Sequence, residues 1–262
     1  MSETEDILTE HDDGIGIVRI NRPSTKNALL PSTCERFGAA VDAFGADSAV
    51  RCIVVTGSRA GFCAGADLMA GMSEAAQRPY ADVIRNGFHR MIRAVVTAPK
   101  PVLAAIQGPA VGFGFDLALA CDLRVAARTS TFGAVFSRIG LVPDGGSSFT
   151  LSRLVGLGRA MELIMLGETF DGATAERYGL LNRLLEDDAF ERDVRALAGR
   201  LAAGPPMALR LMKRNALAGL SGTLDDALER EIEAQVQCLK SQDMMEGVQA
   251  FFQKRRPSFK GT

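Results

Sequence analysis

Runs of apolar residues alternate along the chain with helically spaced ones, so that strands and helices are expected in turn. Ile7–Thr9 and Ile15–Ile20 flank Asp12-Asp13-Gly14, a good hairpin turn. Pro31–Asp47 places Phe37, Ala40, Val41 and Phe44 on one face of an amphipathic helix. Cys52–Thr56 is a short apolar run closed by Gly57, the profile of a buried strand. Met69–Pro79 is small, polar and methionine-bearing, the profile of a mobile flap rather than a core segment. Tyr80–Val96 predicts a helix stopped by Pro99 and Pro101. Val102–Ile106 is a second wholly apolar run, after which Gly108, Gly112 and Gly114 mark a tight loop. From Phe115 onward, Leu117, Ala118, Ala120 and Cys121 read as an apolar helix.

Strand–loop–helix units recur to about Asn182, which predicts an α/β fold. From Glu186 the pattern is purely helical. Pro206 can start a helix over Met207–Leu217, and Thr223 with Asp226 imitates a capping box for the next. Along that last helix Leu224, Leu228, Ile232, Val236 and Leu239 make one apolar stripe, to be covered by the chain's own core or by another subunit.

Composition narrows the class. With 262 residues, the chain is one large domain or a domain with an appendage, enough for a substantial core. A net charge of −1 leaves no electrostatic footprint for nucleic acid or an anionic membrane. The acidic start MSETEDILTEHDD is not a signal peptide, and no apolar run approaches a membrane span. Five cysteines without a C-x-x-C spacing fit free thiols in a reducing cytoplasm.

Candidate chemistry concentrates in Val102–Asp122. A strand feeding a glycine loop into a helix N-terminus aims backbone N–H groups at one spot, a ready site for an anion or an oxyanion. Leu117 stands where a dinucleotide fingerprint needs its third glycine, and no Gly-Lys-Ser/Thr follows Gly112 or Gly114. Asp116 then serves either as a helix-capping acid or in chemistry. Upstream, strand, glycine and loop recur before Gly65-Ala66-Asp67-Leu68, an echo of Gly114-Phe115-Asp116-Leu117. His11 reads as a solvated strand residue, His89 as a packed or surface imidazole, and Cys63 as a small buried residue. Nothing in the chain has zinc spacing, and no metal is expected.

Phe62–Leu68 together with Lys100–Gly114 resembles the crotonase (enoyl-CoA hydratase/isomerase) superfamily. The resemblance extends to Asn21-Arg22-Pro23, Lys26-Asn27-Ala28-Leu29, Ala120–Arg124, Phe132-Gly133, Gly140–Pro143 and Phe251-Phe252-x-Lys254-Arg255-x-Pro257. It implies a crotonase-like spiral of ββα units over 1–201, and over 202–262 a helical portion that drives assembly into a homotrimer or a dimer of trimers. It also implies an acyl-CoA thioester as substrate, so that coenzyme A is part of the substrate and no cofactor is needed. By the same resemblance, the backbone N–H groups of Ala66 and Phe113 form the oxyanion hole. Lys26, Ala64, Asp67, Leu68 and Lys260 meet coenzyme A, with Lys260 reaching it from a neighbouring subunit. Phe115, Phe136 and His89 line the acyl pocket.

The resemblance divides over the reaction. Hydratases of the family carry a Glu at the position of Asp116 and a second at that of Phe136, and the second is absent here. Asp144, in Pro143-Asp144-Gly145-Gly146, matches the acid that shuttles a proton in the isomerase branch. The expected reaction is therefore double-bond isomerisation with Asp144 as shuttle, or hydration using Asp116. Two minor readings accompany these: an aryl-CoA dehalogenase-like hydrolase, in which Asp144 and His89 would act but a Trp is missing at Phe136, and a non-catalytic CoA-thioester binder.

Overall fold

The computed structural model describes residues 5–58, 61–76 and 78–262. Residues 1–4 of the acidic start, 59–60 of the first loop and Gln77 of the expected flap lie outside the described residues. In order come β1 (Ile7–Asp12), β2 (Ile15–Ile20), α1 (Pro31–Ala46), β3 (Cys52–Gly57), α2 (Leu68–Ala75), α3 (Tyr80–Val83) and α4 (His89–Thr97). They are followed by β4 (Val102–Ile106), β5 (Pro109–Val111), α5 (Phe113–Ala120), β6 (Leu123–Ala127) and β7 (Thr131–Gly133). The next are α6 (Ser147–Val155), α7 (Leu157–Leu166), β8 (Phe170–Asp171), α8 (Gly172–Arg177) and β9 (Arg183–Leu185). The remainder is helical: α9 (Phe190–Ala202), α10 (Pro206–Ala218), α11 (Leu224–Leu239) and α12 (Gln242–Phe252).

The main sheet has the order β1-β2-β3-β4-β6-β9, parallel throughout except for the β1–β2 hairpin. Its central strands β3, β4 and β6 are largely apolar on both faces because both are covered, as parallel sheets require. Cys52, Val54, Leu103, Ala105, Val125 and Ala127 meet α9 through Phe190, Val194, Leu197 and Ala198. Their alternate neighbours Ile53, Val55, Val102, Ala104 and Ile106 join Phe37 and Val41 of α1 and Met91 and Val95 of α4 in the larger core. A second sheet, β5-β7-β8, receives the chain where it leaves the C-terminal end of β4.

Three expectations need correcting. The loop after β4 is itself a short strand, and the helix behind it begins at Phe113, two residues early, because Gly112 takes φ +54° and its carbonyl accepts the N–H groups of Phe115 and Asp116. The flap contains a helix, α2, since Asp67 caps it by accepting from Ala70 N at 3.2 Å; Met69 and Met72 are exposed, so it is no core segment. The helix over Tyr80–Val96 is interrupted by a π turn at Ile84–Phe88 just before His89. Of the two covers open to the α11 stripe, the chain's own core is not one, since Leu224, Leu228, Ile232, Val236 and Leu239 are all exposed. Among the described residues no helix is long and apolar enough to cross a membrane.

Candidate active site

Two loops meet at the C-terminal ends of β3 and β4. Hydrogen bonds from Cys63 N to Pro109 O (2.9 Å) and from Val111 N to Cys63 O (3.1 Å) pull them together. Glycine is required on both sides of the seam. Gly65 takes φ +98°, and a Cβ there would stand 3.1 Å from Val111 O and 3.5 Å from Phe113 N. Opposite it, Gly112 lies with its would-be Cβ 3.9 Å from Gly65 Cα. Each glycine is followed by a residue, Ala66 or Phe113, whose backbone N–H meets no acceptor among the described residues. For Phe113 this follows from its place as the first residue of α5. The equivalent pairs are thus Gly65-Ala66 and Gly112-Phe113. The Gly-x-Asp-Leu echo in the sequence is two residues out of register with them.

The carboxylates lie beyond this seam. Asp116, on the first turn of α5, is 1% exposed, and its Oδ2 accepts from Gly145 N at 2.7 Å. No cation partners it among the described residues, and burial pushes it up to about 7, against the N–H of Gly145 and the neighbouring Ser147, which favour the ionised form. No hydrogen bond of regular geometry joins Asp116 Oδ1 to Ser147 Oγ; both atoms are buried and unpartnered among the described residues. Asp144 is only partly buried; burial raises its carboxyl, and the adjacent His89 opposes that rise. His89 Nε2 lies 2.9 Å from the backbone oxygen of Asp144, so the ring donates there when Nε2 carries the proton. The Phe113 ring touches the same loop: a Cβ at Gly145 would stand 2.9 Å from its Cε2, and the ring also meets Phe88 in an edge-type contact, 4.9 Å between centroids.

The remaining candidates separate into groups. Lys26 is exposed beside Ala64, whose N–H donates to Lys26 O at 3.1 Å. Asp67 pairs with Arg22 at 3.1 Å while it caps α2, and Leu68 is exposed on that helix. Phe136 is buried in the main core, while Phe115 turns its ring to Phe132 and Phe170. Lys260 is not brought to this seam. Its N–H donates to Asp243 and the neighbouring Phe259 O accepts from Arg51, which places it at the opposite, N-terminal end of β3. Cys63 is fully buried with its thiol pushed up to about 12, so no thiolate forms there near neutral pH.

Sequence reasoning missed Asn27 and Gly145. Buried Asn27, at φ +59°, accepts from Arg22 N (2.9 Å) and Ser58 Oγ (3.0 Å) and donates to Gly61 O (2.6 Å), which pins the first loop. An Asn between a lysine and an apolar pair was the available signal, since Asn tolerates the left-handed region and hydrogen-bonds locally. Gly145 reads in sequence only as loop, and its role emerges from what presses on it.

A cavity of about 350 Å³ lies on the other face of the sheet, between β2–β4 and α9. Its Arg19 and Arg195 are paired with Glu10 and Asp12, so it offers little uncommitted charge for a substrate.

Residues 10–262 match the family model described as enoyl-CoA hydratase/isomerase. The chain is 38% identical over 255 residues to a Rhodobacter capsulatus protein named "Probable enoyl-CoA hydratase", covering 97% of this chain and 98% of that one. To 1,2-epoxyphenylacetyl-CoA isomerase of Escherichia coli it is 32% identical, covering 98% and 99% of the two chains. The solved structure of an enoyl-CoA hydratase from Bacillus anthracis superposes with a TM-score of 0.92 at 30% identity, covering 98% of this chain and 100% of that one.

Proposed function

The chain belongs to the enoyl-CoA hydratase/isomerase family, and from this premise we propose that it shifts a carbon–carbon double bond in an acyl-CoA thioester, with Asp144 as the proton shuttle. The thioester oxygen sits between the N–H groups of Ala66 and Phe113, which have no other acceptor among the described residues. The Asp144 carboxylate takes a proton from the carbon next to the thioester carbonyl, and the electron pair moves onto the oxygen held by those two donors. The protonated Asp144 then returns the proton at the far end of the conjugated system, so one acid completes the cycle. Burial that raises the Asp144 carboxyl brings it nearer to the basicity this exchange needs. Lys26 at the rim offers a cation to the phosphates of coenzyme A.

One observation carries the choice of Asp144: it is the partly exposed acid on the loop against Phe113, whereas Asp116 is closed over by that loop and Phe136 is apolar. Hydration through Asp116 is the second reading, favoured by the hydratase names of several relatives. Incubation with 2-enoyl- and 3-enoyl-CoA esters in heavy-oxygen water, with products read by mass spectrometry, separates the two. Double-bond migration without oxygen uptake, lost in Asp144→Asn, supports the proposal. Uptake of water as the main reaction, or full isomerase activity in Asp144→Asn, overturns it.

The exposed stripe on α11, together with exposed Phe251 and Phe252 on α12, is the face we assign to contact between subunits, as a trimer or a dimer of trimers. A monodisperse monomer in sedimentation at micromolar concentration overturns that assignment.

A further inference from the structure

We propose that Asp116 is a positioning residue, whose carboxylate latches the Pro143–Gly146 loop through the Gly145 N–H and so fixes the direction in which the Asp144 side chain leaves the backbone. The inference rests on the reading of Asp144 as the proton shuttle.

The geometry turns on one peptide plane. The carbonyl of Asp144 and the N–H of Gly145 belong to the same peptide unit, which is rigid and flat. Its oxygen lies 2.9 Å from His89 Nε2, and its N–H donates to Asp116 Oδ2 at 2.7 Å. Both edges of the plane next to the Asp144 Cα are therefore held, one from α4 and one from α5. The seat is also filled sterically, since a Cβ at Gly145 would stand 2.5 Å from Asp116 Cβ and 2.7 Å from Oδ2. α5 is itself anchored. Arg124, 7% exposed, donates to Cys121 O (2.6 Å) and Leu119 O (3.4 Å) at the end of that helix and to Leu180 O (2.8 Å) beyond it.

Asp116 is badly placed to react. The loop it holds covers it, and a substrate carbon reaches its oxygens only if that loop departs. A buried carboxyl without a cation is costly unless hydrogen-bonded. Gly145 N is the one hydrogen-bond partner its side chain has among the described residues.

The test compares Asp116→Ala with Asp116→Asn in the full-length enzyme, reading steady-state isomerisation and hydrogen exchange across residues 142–148. Loss of the latch should lower kcat by about 10²-fold with KM little changed, because a misplaced acid reacts slowly while the substrate still binds. Asp116→Asn should regain most of that loss, since an amide oxygen still accepts from Gly145 N–H. In the Asp144→Asn background, Asp116→Ala should cost little more, as expected of a residue that acts through Asp144. Exchange at 142–148 should quicken in Asp116→Ala and stay slow in Asp116→Asn. If Asp116→Asn is as inactive as Asp144→Asn, Asp116 reacts in its own right and the proposal falls; wild-type kcat in Asp116→Ala overturns it too. Exchange decides the latch even if no double-bond shift is seen: quickened exchange upholds the latch while the isomerase reading fails, and unchanged exchange overturns the latch.

Discussion

Asp67 and Asp116 occupy the same tetrapeptide, Gly-x-Asp-Leu, at the mouths of neighbouring loops, yet the fold puts them to different uses. Asp67 is the N-cap of α2, partly exposed, with Arg22 at 3.1 Å. Asp116 is the fourth residue of α5, buried, with a backbone N–H for a partner and its carboxyl pushed up to about 7. The difference lies in where the chain turns. In the first loop the turning glycine, Gly65, stands two residues before the acid; in the second it is Gly112, four residues before. A helix that starts earlier carries its acid a turn deeper, out of reach of water and of Arg22. The same Gly-x-Asp-Leu pattern thus yields a capping acid in one place and a buried one in the other.

What the loops share is the residue after the turning glycine, and the largest predicted effect tests that equivalence. Ala66→Pro removes one N–H that serves no bond within the described fold. If Ala66 and Phe113 act as one hole, kcat should fall by roughly 10²–10³-fold, about 3–4 kcal/mol, while the protein stays folded. Single-turnover rates on a 3-enoyl-CoA check it. Unimpaired turnover by the folded variant would mean that the loops are not equivalent.

The next effect sharpens the contrast between the acids. Well below the ordinary value of 3.8 the folded and unfolded chains both hold the Asp116 proton, so no buried charge weighs on folding. As pH rises, the unfolded chain releases this proton first, the folded state binds more protons, and stability falls until the folded value of about 7 is passed. The gap corresponds to about 4 kcal/mol at most. Asp116→Asn should therefore come closest to wild type at about pH 3 and exceed it by up to about 4 kcal/mol above pH 7, as read from denaturant unfolding at several pH values. Subtracting the two profiles cancels the groups that do not interact with Asp116; the charge of Asp144, which helps to raise Asp116, stays in the difference. A difference independent of pH would show that burial does not shift this acid.

At Asp67 the same substitution should have the opposite sign. Asn still caps α2, but Arg22 loses its 3.1 Å carboxylate partner and, among the described residues, keeps only Ala28 O and Asp6, the latter at 3.8 Å. A loss of roughly 1–2 kcal/mol is expected from a partly buried charged hydrogen bond. A gain in stability from Asp67→Asn would erase the distinction.

These particulars show which parts of the molecule were legible in the sequence. The buried strands Cys52–Gly57 and Val102–Ile106 and the capped helix after Thr223 follow from local pattern, because apolar runs and caps are set by near neighbours. The resemblance pointed to Ala66, Phe113 and Asp144, and the structure puts Ala66 and Phe113 on adjoining loops. What the Asp144 loop rests on was not legible. Its peptide plane is held by His89 and Asp116, 55 and 28 residues away from Asp144 in the chain, and only the crossing of α4 and α5 brings them there. Nor did the acyl-pocket expectation for Phe115 anticipate its packing, since a helix with apolar residues all round gives no sign of which face meets Phe132 and Phe170.

The smallest effect probes the helix behind each acid. Gly71 lies inside α2, one turn beyond Asp67, and a Cβ there would meet nothing nearer than Pro31 Cδ at 3.8 Å, an ordinary contact. Alanine in a helix interior is favoured over glycine by about 1 kcal/mol, partly because it restricts the unfolded chain. On a two-turn surface helix, where only part of that gain reaches the global transition, Gly71→Ala should add about 0.5 kcal/mol or less. α5 has no such room, for a Cβ at Gly114 would stand 2.3 Å from Cys63 O. The two helices therefore differ in what holds them: α5 is wedged against the first loop, while α2 is held by its cap, by its own propensity and by Glu74, which accepts from Ser32 N (2.7 Å) and Ser32 Oγ (2.9 Å). Denaturant unfolding of Gly71→Ala gives the answer. A loss of stability would mean that α2 is packed as tightly as α5, and the contrast between the two acids would have to be sought in their caps alone.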